Sequence, residues 1–135
     1  MNILCVNWGD KYGREYVEKL KQQCEENCSV PFNFYCLTDK PTEDYDRQLP
    51  TTWDKYENGK FWAYKKLYMF NESQLGITGK NFLYLDLDVI IHQDLKYFFE
   101  LPMDNPWIVR GWWNDIEVCK KNFAKFKSTP INSSI

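Results

Sequence analysis

Three apolar runs, 2–6, 32–37 and 82–85, each give way abruptly to polar residues. Strands of a parallel sheet read this way, because both faces are covered and the apolar/polar alternation is lost. Between the first two runs, Tyr16, Val17, Leu20 and Cys24 form a helical stripe among charged residues. Residues 61–70 are apolar on most of a helical circumference, interrupted by Lys65 and Lys66, and suit a largely buried helix. The order strand, helix, strand, helix, strand predicts an α/β fold, a mostly parallel sheet with helices on both faces. Residues 40–60, with Pro41, Pro50 and Gly59, read as a long loop. A short helix is expected over 95–101, and further strands over 107–109 and 131–135. At 135 residues the chain suits a single domain, 1–135.

In parallel sheets ligands bind beyond the carboxyl ends of the strands. Here those ends are polar: Asn7-Trp8-Gly9-Asp10, Thr38-Asp39 and Asp86-Leu87-Asp88. They are expected to converge on one edge. Composition narrows what that edge binds. A net charge of −2 offers no basic excess for nucleic acid. A single His argues against a histidine-built metal centre. Nine Phe, nine Tyr and six Trp call for a large core, an aromatic-lined site, or both.

No window approaches the length of an apolar membrane span, and the first residues read as a strand and not as a signal peptide. The five cysteines are an odd, scattered set, and a reduced cytoplasmic compartment is expected. Cys24 and Cys28 stand one helical turn apart. Without a second pair they read as two thiols on one helix face, not as a metal site. Asn27, Asn71 and Asn132 open glycosylation sequons that carry little weight without a secretory signal.

The chain holds two Asp-x-Asp tripeptides, and they are not equivalent. Asp44-Tyr45-Asp46 lies in the polar loop and reads as a solvated surface run. Asp86 and Asp88 follow a buried run, and a strand that continued through them to Ile91 would put both on one face. Such a pair is costly without a partner, and a divalent cation is the obvious one. Hard oxygen ligands suit Mn²⁺ or Mg²⁺. The alternative is an exposed pair capping a strand end.

Asn-Phe-Leu-Tyr-Leu-Asp86-Leu-Asp88-Val-Ile-Ile resembles the metal-binding motif of nucleotide-sugar glycosyltransferases of the GT-A fold. The preceding helix, Phe61-Trp62-Ala63-Tyr64-Lys65-Lys66-Leu67, is similar to its counterpart in the glycogenin-like family 8 enzymes and their relatives. Thr38-Asp39 and the closing Pro-Ile-Asn132-Ser-Ser-Ile also fit, in the same order, over nearly the whole chain. The resemblance implies a Rossmann-like nucleotide-sugar-binding core that moves a hexose from a UDP-sugar to a sugar, lipid or protein acceptor. It implies that Asp86 and Asp88 hold Mn²⁺ or Mg²⁺ on the donor diphosphate, with Asp86 and Leu87 also at the ribose or donor sugar. Asn7, Trp8, Gly9 and Tyr12 would bracket the base; an exposed Tyr12 before a helix is the bland alternative. Thr38 and Asp39 would hydrogen-bond the base, although Thr-Asp also opens turns. Lys66 would hold the acidic motif or the phosphates, and the carboxylate is the favoured partner. Asp115 would face the donor sugar, and Asn132 would line the acceptor side. Trp112 and Trp113 would offer an acceptor platform, with core or a homodimer contact as the alternative.

The chain departs from that family in two respects. Its relatives are longer, so the acceptor side is expected to be incomplete, and donor hydrolysis is the turnover expected first. Their downstream His ligand has no counterpart, because His92 follows Asp88 too closely and reads as a surface residue or as one standing behind the metal ligands. Two alternatives stand beside this reading: a non-catalytic nucleotide-sugar-binding module, and a haloacid-dehalogenase-type phosphohydrolase. The second places Asp-x-Asp near the N-terminus and follows it with a Thr or Val where Ile90 stands.

Overall fold

The first two apolar runs form β1 (Asn2–Asn7) and β2 (Asn33–Thr38), joined by the helix α1 (Arg14–Glu26). The computed structural model describes residues 1–50, 62–71, 75–77, 81–102, 104, 106–110 and 131–132. β3 (Asp46–Gln48) and β4 (Phe82–Tyr84) complete a four-stranded sheet in the order β3-β2-β1-β4, parallel at every pairing. The architecture is therefore α/β, with β1 and β2 paired from Asn2 opposite Asn33 to Asn7 opposite Thr38.

Both sheet faces are covered. Leu4, Tyr35 and Tyr84 are register neighbours across three strands and form one cluster, against which Val6, Phe82 and Met69 pack. Leu37, Leu49, Tyr68 and Leu75 extend that face. The alternate residues Ile3, Cys5 and Cys36 are fully buried, as are Val17, Leu20 and Cys24 of α1. The Cys5 thiol is held well above its ordinary pKa by a hydrogen bond with Cys36, then by burial, with the Cys36 and Cys24 sulfurs adding to the rise. Burial pushes the Cys24 thiol up to about 12.

Raised thiols favour the folded state below the unfolded pKa of roughly 8.5 and lose that contribution as pH climbs toward the folded value. Stability is therefore expected to fall with rising pH above about 8.5. At pH 8, an alkylating reagent followed by peptide mass mapping should label Cys28, which is half-buried, and spare Cys5, Cys24 and Cys36 until denaturant is added. Rapid native labelling of those three thiols would contradict their placement.

The segment anticipated as a buried helix is a 3₁₀ helix, Trp62–Phe70. Its exposure repeats every three residues: Lys65 and Tyr68 buried, Lys66 and Met69 half-buried, Leu67 and Phe70 exposed. Three residues per turn stack i and i+3 on one edge, which reproduces that pattern.

Two expectations need correction. Asp44-Tyr45-Asp46 is not a solvated run, because Asp46 opens β3 with its side chain 0% exposed. Both Asp46 oxygens accept from Arg14 Nη1 at 2.9 Å. Its Oδ2 also accepts the Thr42 and Glu43 N–H groups at 2.8 and 3.0 Å. Burial is the largest single influence and works against the Arg14 charge, but the Asp46 hydrogen bonds and charge, together with Tyr45, outweigh it and raise the Arg14 pKa. Only Asp44 of the three is exposed. The 40–60 loop therefore contains a strand within its described part.

The other correction concerns 86–91, which does not continue as a strand. The Leu85 N–H still reaches Leu4 O at 2.9 Å, and the chain then turns, with the Val89 N–H on Asp86 O at 3.3 Å. The helix α2 (Lys96–Phe99) falls within the expected 95–101 segment.

Met1–Leu101 forms one compact unit and Pro102–Ile135 a second. In the second, β5 (Val109–Arg110) pairs antiparallel with β6 (Ile131–Asn132), so a strand forms at the end of the first expected run and at the start of the other. Among the described residues, no helix is long and apolar enough to cross a membrane.

Candidate functional site

β1 lies between β2 and β4, so the chain leaves the centre of the sheet first to one side and later to the other. The crevice above such a switch point, at the carboxyl ends of the strands, is where open α/β sheets bind ligands. Because the pairings are all parallel, Asn7, Thr38 and the turn after β4 share that edge, as the sequence suggested. The turn leaving β1 depends on Gly9, whose φ is +69°. A Cβ there meets nothing within 4 Å, so Gly9→Ala should cost only the backbone strain, about 1 kcal/mol, measurable by denaturant unfolding.

The turn separates the two carboxylates. Asp86, with 17% side-chain exposure, pairs with Lys66 Nζ at 2.7 Å and accepts the Tyr84 hydroxyl at 2.5 Å, both on Oδ1. Burial, then the bond to Asp86, raises the Tyr84 pKa and keeps that hydroxyl a donor. Leu87 between the acids is buried, and Asp88 is exposed. Its Oδ2 accepts the Tyr12 hydroxyl at 2.8 Å, a contact that crosses from the segment after β1 to the turn after β4. Lys11 Nζ sits 4.5 Å from the Tyr12 ring centroid. The Lys11 pKa is raised, first through its contact with Tyr12 and further by Asp88 and Asp86. The acidic turn therefore has cations beside it, Lys66 on Asp86 and Lys11 against the Tyr12 ring.

The other expected residues fall as follows. Trp8 is half-buried, and Lys65 Nζ lies 3.4 Å from its ring centroid. Thr38 is buried, and its Oγ1 accepts the Lys40 N–H at 3.1 Å, the bond of a turn-opening threonine. Asp39 is half-buried, and its carbonyl accepts from Gln48 Nε2 at 3.5 Å. Lys40 pairs with Asp10 at 2.8 Å, joining the loops after β1 and β2 at the surface. His92 is exposed, the first of its two expected placements. Asn132 lies in β6 of the second unit. Asp115, Trp112 and Trp113 lie outside the described residues.

Tyr84, Lys11 and Lys65 belong to this site and were not anticipated. Tyr84 had a legible signal, since it stands two residues before Asp86 and so faces the same way. The two lysines had none.

Mn²⁺ or Mg²⁺ is implied by the family resemblance, and the donor set fits. Among the described residues no three His, Cys, Asp or Glu side chains gather into a metal cage. The bonds that the described residues make to the pair fall on Oδ1 of Asp86 and Oδ2 of Asp88, leaving one oxygen of each to offer. Two carboxylates with outer positions left for water and phosphate are what these hard cations accept. Comparison of the chain with protein-family models, with curated proteins and with solved structures finds no match.

Proposed function

We propose that this protein is a metal-dependent glycosyltransferase of the GT-A type, moving a hexose from a UDP-sugar to a sugar, lipid or protein acceptor. One observation carries the reading: an acidic turn stands at the switch point of a parallel sheet, with an aromatic residue from the first βα turn hydrogen-bonded to it. Asp86 and Asp88 would hold Mn²⁺ or Mg²⁺, which when bound supplies Lewis-acid stabilisation of the departing diphosphate. Lys66 holds Asp86 in place and offers its ammonium to the phosphate charge that grows as the sugar leaves. Tyr84 holds the same carboxylate through its hydroxyl. Asn7, Trp8, Gly9 and Tyr12 line the base side, with Thr38 and Asp39 at the neighbouring strand end. The sugar would be oxocarbenium-like at the transition state, where neighbouring carboxylates and carboxamides help more than a strong nucleophile. The protein's compartment in this reading is the cytoplasm.

Incubation with a panel of UDP-hexoses and Mn²⁺, following UDP release, tests the proposal. Sustained release in Mn²⁺ that stops in EDTA is expected, by hydrolysis where no acceptor is present. UDP binding without turnover would instead favour the non-catalytic binding module. Release of inorganic phosphate from phosphate esters would favour the phosphohydrolase.

A further inference from the structure

Tyr12 brings the segment after β1 into contact with the acidic turn. Its hydroxyl donates to Asp88 Oδ2 at 2.8 Å across 76 residues of sequence. Its ring centroid lies 4.9 Å from that of Tyr16, the two planes tilted by 57°. Tyr12 precedes α1 and Asp88 follows β4, so this one hydrogen bond joins the segment after β1 to the turn after β4. Asp88 is exposed, and Tyr12 is the hydrogen-bond partner that the described residues give it.

We infer that Tyr12 is a positioning residue that couples nucleoside binding to divalent-cation binding through its hydroxyl on Asp88, independently of the diphosphate. The inference rests on the proposed function and deepens it. An exposed carboxylate samples several rotamers, and few of them present an oxygen to a shared cation. Holding Oδ2 selects one rotamer and leaves Oδ1 to the cation. Partners that orient a ligating carboxylate typically change metal affinity by about 10–100-fold. A base stacked on the Tyr12 ring limits its motion, and the fixed ring fixes the hydroxyl. The ordering that one ligand has already imposed is then not repeated for the other, which is positive coupling. Linkage makes it reciprocal: the base tightens the cation by the factor by which the cation tightens the base.

Uridine separates this route from the ordinary one, because it carries no phosphate to bridge to the cation. Free Mn²⁺ is titrated with protein and followed by electron paramagnetic resonance, with and without uridine. In the wild type, uridine should lower the Mn²⁺ Kd by about fivefold. Tyr12→Phe keeps the ring and removes the hydroxyl. It should bind Mn²⁺ alone about tenfold more weakly and show no coupling, so that its uridine affinity is the same in Mn²⁺ as in EDTA. A purely structural tyrosine would shift the melting temperature and leave the coupling factor intact.

The reciprocal measurement needs no variant: Mn²⁺ should tighten uridine in the wild type by the same factor, read by intrinsic fluorescence. Absence of coupling in the wild type overturns the inference. So does coupling that survives in Tyr12→Phe, or a protein that binds UDP but not uridine. If Mn²⁺ fails to bind even with UDP, the proposed function itself falls.

Discussion

Asp86→Asn is expected to reduce UDP release from a UDP-hexose by about a thousandfold while leaving the protein folded. Asparagine keeps an oxygen to accept from Tyr84 and Lys66, so the local packing survives. What it loses is the negative charge that a divalent cation requires. Lewis-acid stabilisation of a departing diphosphate contributes several kcal/mol, and each 1.36 kcal/mol is tenfold in rate. The loss should therefore appear in kcat more than in the stability of the fold. Steady-state kinetics beside a thermal melt checks both. Turnover within tenfold of wild type would show that Asp86 does not serve the reaction.

Asp46→Ala should produce the largest loss of stability. Asp46 is buried, meets Arg14 with both oxygens and satisfies two backbone N–H groups of the preceding turn. Truncation leaves Arg14, whose side chain is 25% exposed, without its counter-charge, and leaves both N–H groups unpaired. Breaking one side of such a pair costs about 3–5 kcal/mol. For a domain of this size that corresponds to a drop of roughly 11–18 °C in Tm. Removing the orphaned cation as well, in Arg14→Met with Asp46→Ala, should recover part of the loss but not the part owed to the two N–H groups. Chemical denaturation of the two single variants and the double variant measures both terms. A loss under about 1 kcal/mol for Asp46→Ala would place the pair in solvent, where ion pairs contribute little.

What the sequence revealed followed from burial. β1, β2 and β4 are covered on both faces, so their composition alone marked them, and the stripe of α1 marked its buried side. β3 was illegible because Asp-Arg-Gln has no strand character of its own. It forms because Asp46 meets an arginine 32 positions earlier, a contact that no local pattern encodes. The helical pattern of the 62–70 region located the element but could not distinguish three residues per turn from 3.6, since both place Lys65 and Tyr68 on one side. The acidic pair was legible by position, at the end of a buried strand. Its geometry was not: the turn at Asp86 gives the carboxylates different exposures and different partners, where an extended strand would have set them side by side. Lys66 was expected on a carboxylate and lies on Asp86. Tyr12 was read for its ring, while its hydroxyl proves to be the group in contact with the acidic turn.

The most direct test of the central claim, that Asp86 and Asp88 hold a divalent cation on a nucleotide diphosphate, is the shift that UDP produces in Tm. It is to be measured in Mn²⁺ and in EDTA, for the wild type and for Asp88→Ala. A ligand that binds only the folded state raises Tm in proportion to its affinity. The claim predicts a clear rise with UDP and Mn²⁺ in the wild type, little rise in EDTA, and no difference between the two conditions in Asp88→Ala. Equal stabilisation by UDP in Mn²⁺ and in EDTA, or an unchanged response in Asp88→Ala, would contradict it.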